Sequence, residues 1–205
     1  MYKTSKAEVS YTHCANEQEL LQRFLAWWTE NYPDVITGWN VQLFDVPYIC
    51  NRLSRILGDK NMKLLSPWKL LRSREINILN RKQLAFDVSG ITVLDYLDLY
   101  KKFTYTNQES YRLDHIAMVE LGQQKLDHSE FDTFREFYTN DWKKFVDYNI
   151  HDVRLVDRLE DKMKLMDLAF TLAYDAKVNI EDVFSQVRMW DAIIYNYLSD
   201  RKIVI

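Results

Sequence analysis

A chain of 205 residues with 47% hydrophobic and 28% charged residues can build one sizeable core; with only 4 Gly and 3 Pro, it excludes collagen-like, linker-rich and turn-dense all-β architectures. The net charge of −3 argues against a uniformly basic nucleic-acid binder. The longest apolar runs fall far short of the ~20 residues of a membrane span, and residues 1–10 lack a signal-peptide core, so a soluble chain without membrane partners is expected.

Glu8–Tyr11 reads as a short strand, and Asn16 caps a helix in which Glu19 stands three positions on as a capping-box partner. Leu20, Leu21, Phe24, Leu25, Trp27 and Trp28 give that helix one wide apolar face, with the tryptophan pair expected in the core. Pro33-Asp34 breaks it, and Val35–Trp39 follows as a β-branched strand suited to burial. Asn40–Asp45 connects this strand to a second helix, with Pro47 in its first turn, an inner stripe of Ile49, Leu53, Ile56 and Leu57, and Gly58 as its stop. Functional side chains often stand just beyond the C-terminal end of a strand in such strand–loop–helix units, and Asp45 is placed there.

Lys69–Phe86 mixes basic, polar and β-capable residues and predicts a protruding hairpin. Gly90–Leu94 reads as another buried strand, with a helix over Asp95–Phe103. Residues 140–176 are almost wholly helical in pattern, with Trp142, Phe145, Val146, Asn149, Val153, Val156, Met163 and Met166 tracing the expected inner stripe. A last helix is expected over 182–198, ending in an apolar Ile203-Val204-Ile205.

Cys14, Cys50 and the four histidines form neither a disulfide framework nor a zinc spacing, which predicts a reducing, intracellular setting without zinc. Charge is unevenly spread. Nine basic residues and two acids between Arg52 and Lys82 give that segment +7 and the remainder −10. Such a band is either a phosphate-contacting surface or a solvated loop.

Two carboxylates stand out by context: Asp45, after Asn40 and Phe44, and Asp152, four residues after Tyr148. On a helix the Tyr148 hydroxyl and the Asp152 carboxylate share a face, which the expected stripe places away from the core. Carboxylate oxygens suit hard divalent cations, and a neighbouring hydroxyl can orient an attacking water. His151 and Asp152 point apart on a helix and make no catalytic dyad, while Asp95, Asp98 and Asp114 read as capping or solvated acids, with extra acids near the site as the alternative.

The sequence resembles the 3′–5′ proofreading exonuclease domain of family B DNA polymerases, most closely those of T-even-type bacteriophages, over nearly its whole length. The resemblance is carried in order by Thr37–Asn40 with Phe44–Tyr48, by Val93–Phe103, by Tyr148–Val153 and by Met189–Asn196. It implies an α/β, RNase H-like fold, a mixed sheet flanked by helices, in which residues 1–205 form a partial exonuclease domain. Within it, about 68–86 is a basic β-hairpin that helps separate primer from template, and about 178–205 begins the connection toward the polymerase domain. It also implies two Mg²⁺ or Mn²⁺ ions, with Asp45 and Asp152 as catalytic metal-binding carboxylates and Tyr148 as the water-orienting hydroxyl. Asn40, Phe44, Lys69, Arg72 and Arg74 are implied DNA contacts. The implied partners are a single-stranded DNA 3′ end, primer-template DNA and the remaining parts of the polymerase, in the cytoplasm of an infected bacterial host.

The family's first exonuclease motif, Asp-x-Glu, does not occur: the acids of the first 44 residues are Glu8, Glu17, Glu19, Glu30 and Asp34. A chain without that pair is expected to be truncated at the N-terminal strands and to bind metal weakly. The palm motifs of the polymerase domain are absent as well, so no DNA synthesis is expected. The alternative reading is a catalytically silent DNA-binding or assembly fragment of the polymerase.

Overall fold

The structure is a computed structural model that describes residues 9–78, 81–123 and 133–203. Helix α1 (Glu17–Glu30) starts at Asn16, whose side chain accepts from the Glu19 N–H at 2.9 Å, while the Glu19 carboxylate accepts from Ala15 N–H at 2.8 Å. Strand β1 (Val35–Gly38) leads into α2 (Asp45–Leu57), which stops at Gly58 with φ +85°. A short α3 (Asp59–Met62) and a 3₁₀ turn (Lys63–Leu65) then precede strands β2 (Leu71–Ile78) and β3 (Arg81–Val88). Strand β4 (Thr92–Asp95) runs directly into α4 (Tyr96–Phe103). The remaining helices are α5 (Leu113–Leu121), α6 (Phe134–Asn140), α7 (Trp142–Met163), α8 (Leu165–Ala176) and α9 (Gln186–Asp200), with a 3₁₀ turn at Ile180–Phe184 before the last.

β1 and β4 pair in parallel, Val35 opposite Thr92 through Gly38 opposite Asp95. β2 and β3 pair antiparallel, Leu71 opposite Val88. Among the described residues the expected mixed sheet is reduced to the parallel β1–β4 pair, and the β2–β3 ribbon, in the segment expected as a protruding hairpin, is a separate sheet. The ribbon joins the body through side chains, Phe86 and Val88 entering a core. The expected strand at Glu8–Tyr11 is also corrected. Glu8 lies outside the described residues, and residues 9–11 form no strand.

The parallel pair is apolar on both faces, as buried parallel strands are. Alternation of side chains sends Leu94 and Val35 to one core and Ile36 and Val93 to another. The first core gathers α4, α5, α7 and α8 around Tyr96, Leu99, Ile116, Leu155 and Leu159. The second gathers α1, α2 and β3 around Leu21, Leu25, Cys50, Leu53 and Phe86. Trp28 is half-buried there and donates its indole N–H to Leu65 O at 2.9 Å; Trp27 is exposed, so only one of the tryptophan pair serves the core. Gly90, which turns the chain from β3 toward β4, has φ +90°, and a Cβ there would stand 2.7 Å from the Pro67 ring.

The inner face of α7 follows the stripe read from the sequence only in part, at Val156 and Met163. Val153 is 71% exposed and Asn149 is exposed, whereas Tyr148, Leu155 and Leu159 are buried. Tyr148, Asp152, Leu155 and Leu159 follow a 4-3-4 spacing, so the tyrosine and the aspartate continue the buried face instead of avoiding it. The helical stretch 140–176 is also divided. Lys164, in a left-handed conformation at φ +56°, ends α7 and begins α8.

The two thiols should report this packing. Burial pushes the Cys50 thiol up to about 12, while Cys14 keeps partial solvent access. A thiol-reactive disulfide reagent at pH 8 is expected to label one cysteine, Cys14, in the native chain, with Cys50 reacting only after denaturant is added. Rapid native labelling of Cys50 would contradict the packing of α2.

Candidate active site

The chain leaves β1 by crossing from one core to the other. Trp39 packs its indole against Tyr96 and Tyr100, ring centroids 6.3 and 6.0 Å away, and donates its N–H to Tyr111 O at 3.0 Å. Val41, two residues on, is buried in the other core. Between them Asn40 adopts a left-handed conformation, φ +65°, uncommon outside glycine but best tolerated by asparagine and aspartate.

This turn is held by Asp95, 3% exposed at the end of β4. Its Oδ1 accepts from the Asn40 N–H at 2.9 Å and from the Leu97 N–H at 3.0 Å, and its Oδ2 accepts from the Gln42 N–H at 3.0 Å. One carboxylate therefore caps α4 and fastens the loop in front of α2. Burial pushes the Asp95 carboxyl above the ordinary carboxylate value, with Asp98 adding to the rise and the three amides opposing it. The sequence placed Asp95 as a capping or solvated acid; the cap is observed, the solvation is not, and the bonds to Asn40 and Gln42 had no counterpart in the sequence pattern.

Beyond this fastening stand the expected site residues of the segment. Phe44 is 65% exposed, and Asp45 is the first residue of α2. Val46, Cys50 and Leu53 anchor that helix in the core, leaving Asp45 at a solvent-accessible N-terminus, where the helix dipole favours an anion. Although the residue is exposed, protein packed beside it desolvates the carboxyl, which is raised above its ordinary value, its own backbone N–H opposing the rise. Asn40, Phe44 and Asp45 are thus gathered at the C-terminal end of the parallel pair.

Tyr148 and Asp152 stand one turn apart on α7. The Tyr148 ring is buried with its edge against Phe137, centroids 5.9 Å apart, and Asp152 is half-buried. Asp45 and Asp152 belong to different helices, and no group of three or more His, Cys, Asp or Glu able to share a metal ion occurs among the described residues. A hard divalent cation takes about six oxygen ligands. Mg²⁺ commonly takes only one or two of these from protein carboxylates and the rest from water and substrate phosphates, so Asp45 and Asp152 are residues that could hold part of such an ion's ligand shell.

The basic segment is dispersed over α2, α3 and the ribbon, and part of it is paired. Arg52 bonds Glu17 across α1 and α2 and holds that carboxyl below its usual range. Lys82 meets Glu75 at 3.1 Å, and Arg74 meets Asp87 at 3.3 Å. Glu181, in the 3₁₀ turn, lies within electrostatic reach of the Arg74–Asp87 pair; burial raises its carboxyl, and Arg74 lowers it. Arg74 is thus engaged with acids although exposed, and Lys69 and Arg72 are exposed as well.

Comparison with known proteins places the chain in a family. Residues 2–116 match the family described as DNA polymerase family B, exonuclease domain. The chain belongs to that family. It is 39% identical to the DNA-directed DNA polymerase of Escherichia phage RB69 over 199 residues, which are 97% of this chain and 22% of that polymerase. It is 37% identical to the DNA-directed DNA polymerase of Enterobacteria phage T4 over 198 residues, 96% of this chain and 22% of the other. The DNA polymerase of Choristoneura fumiferana nuclear polyhedrosis virus is 29% identical over 186 residues, 83% of this chain and 18% of that one. The chain thus spans about a fifth of the length of these relatives. The family match includes Asn40, Phe44, Asp45 and Asp95; Tyr148 and Asp152 lie beyond it. Exonuclease domains of this family are metal-dependent. No helix among the described residues is long and apolar enough to cross a membrane.

The desolvated Asp45 carboxyl makes a stability prediction. A carboxyl whose value is raised in the folded chain favours folding below the unfolded value, and that contribution is lost as pH rises through the folded value. In chelator at pH 7 Asp45→Asn is therefore expected to raise the melting temperature by about 1–2 °C, with the difference vanishing at pH 3. A lower melting temperature for the variant at pH 7 would contradict it.

Proposed function

We propose that the chain is the proofreading 3′–5′ exonuclease segment of a DNA-directed DNA polymerase, built on an RNase H-like core and acting on the frayed 3′ end of primer-template DNA. The observation that carries this reading is the placement of an exposed aromatic, Phe44, and a carboxylate, Asp45, side by side at the C-terminal end of the parallel strands, inside the stretch that matches the family. The aromatic face of Phe44 packs against a terminal base or sugar, and Asn40 contacts the same strand. Asp45 and Asp152 would supply carboxylate oxygens to bound Mg²⁺ or Mn²⁺, which would activate water and stabilise the leaving oxygen, and the Tyr148 hydroxyl would orient the attacking water. The water oxygen attacks phosphorus, the bond to the preceding 3′ oxygen breaks, that oxygen leaves as a hydroxyl, and a nucleoside 5′-monophosphate is released.

On the ribbon, Lys69 and Arg72 contact phosphates and the hairpin helps part primer from template. The Arg74–Asp87 pair is exposed on both sides and so is weak enough for Arg74 to exchange its partner for a phosphate. The remaining parts of the polymerase are the segment's partners, in an infected bacterial cell. One observation favours the alternative of a catalytically silent DNA-binding or assembly fragment: the lack of a three-acid cluster among the described residues.

The test is shortening of a 5′-labelled oligonucleotide in Mn²⁺ by the chain mixed with an upstream segment bearing Asp-x-Glu. Stepwise loss of 3′ nucleotides is expected, reduced at least about tenfold by Asp45→Ala and by Asp152→Ala. No shortening in an assembled complex, together with salt-sensitive primer-template binding that Asp45→Ala leaves intact, would favour the silent reading.

A further inference from the structure

Asp95 lies 50 residues from Asp45 in sequence, yet it is the side chain that fastens the loop delivering Asn40, Phe44 and Asp45. We propose that Asp95 is a positioning residue of the site: through the amides of Asn40 and Gln42 its carboxylate fixes the backbone that presents the three DNA-facing side chains. This role rests on the proposed exonuclease function.

Three observations converge on it. Both carboxylate oxygens are engaged, Oδ1 by two amides and Oδ2 by one, so the group is oriented as well as bound. The donors belong to two elements, the loop after β1 and the first turn of α4, so the carboxylate ties the ends of the parallel pair together. The loop is also in a conformation that needs holding, because Asn40 is left-handed while Trp39 and Val41 are pulled into different cores. Asp95 reaches the substrate only through backbone, which makes it a positioning rather than a catalytic residue.

The role as a helix cap can be separated from the role as a loop fastener. Serine is a good N-cap and still reaches the Leu97 N–H, but its hydroxyl is one bond shorter than a carboxylate and cannot also serve Asn40 and Gln42. In Asp95→Ser the amides of Asn40 and Gln42 are expected to exchange with deuterium at least about tenfold faster, while those inside α4 keep their protection. Binding of a 5′-fluorescein-labelled dT₁₀, followed by anisotropy, is expected to weaken at least threefold in parallel, as in Phe44→Ala. In Asp95→Asn one oxygen remains for Asn40 and Leu97 while an amide faces Gln42 N–H, so faster exchange confined to Gln42 is expected; this variant decides the matter if the serine variant fails to fold. Unchanged exchange at Asn40 and Gln42 in the folded variants overturns the proposal. So does accelerated exchange with undiminished dT₁₀ binding, provided Phe44→Ala weakens it. If Phe44→Ala itself leaves binding unchanged, the functional reading of the site fails, and the exchange data still decide whether Asp95 holds the loop.

Discussion

A single buried carboxylate governs the local architecture. Asp95 sits where β4 ends and α4 begins, and its oxygens take N–H groups from both sides of the parallel pair. Hydrogen bonds to a charged group contribute roughly 1.5–3 kcal/mol each, while withdrawing an ion from water costs several kcal/mol. Burial pushes the Asp95 carboxyl up, Asp98 adds to the rise, and the three amides oppose it. The same low-dielectric setting makes an unserved amide expensive, so the loop has little freedom to leave its carboxylate. This group serves geometry more than stability.

The path of the chain from Trp39 to α2 depends on that geometry. Trp39 is drawn into one core and Val41 into the other, and the turn between them closes with the Phe44 N–H donating to Asn40 O at 3.0 Å. Helix α2 then starts at Asp45 and is locked by Val46, Cys50 and Leu53. An acid at the mouth of a helix, beside an exposed aromatic and beyond the ends of parallel strands, is where α/β proteins place ligands. Burial works against the Asp45 carboxylate, a local tension of the kind that functional groups show.

Local signals were legible in the sequence and non-local ones were not. Asn16 with Glu19, Pro47 in the first turn of α2 and Gly58 at its end act within a few residues, and each stands where its chemistry puts it. The apolar stripe of α7 held only in part, at Val156 and Met163, because it followed hydrophobicity alone. Trp142 and Val153 are exposed, and the buried face runs instead through Tyr148, whose hydroxyl disguises an aromatic body, and through Asp152. The reduction of the expected mixed sheet to the β1–β4 pair among the described residues depends on which strands meet, which periodicity does not encode. Asp95 offered a cap signal before the pattern of α4, but its bonds to Asn40 and Gln42 span 55 and 53 residues and carry no short-range signature. The run of basic residues likewise concealed its pairing, since Asp87 and Glu17 come from other elements.

The central claim is that a DNA 3′ end is received by the segment after β1. Photocrosslinking tests it most directly, using a single-stranded oligonucleotide whose 3′-terminal base is 4-thiothymidine and mapping the adducts by mass spectrometry. The account predicts adducts within residues 40–48, Phe44 foremost, and near Tyr148. Adducts confined to the ribbon or to α9, with residues 40–48 unmodified, would contradict it.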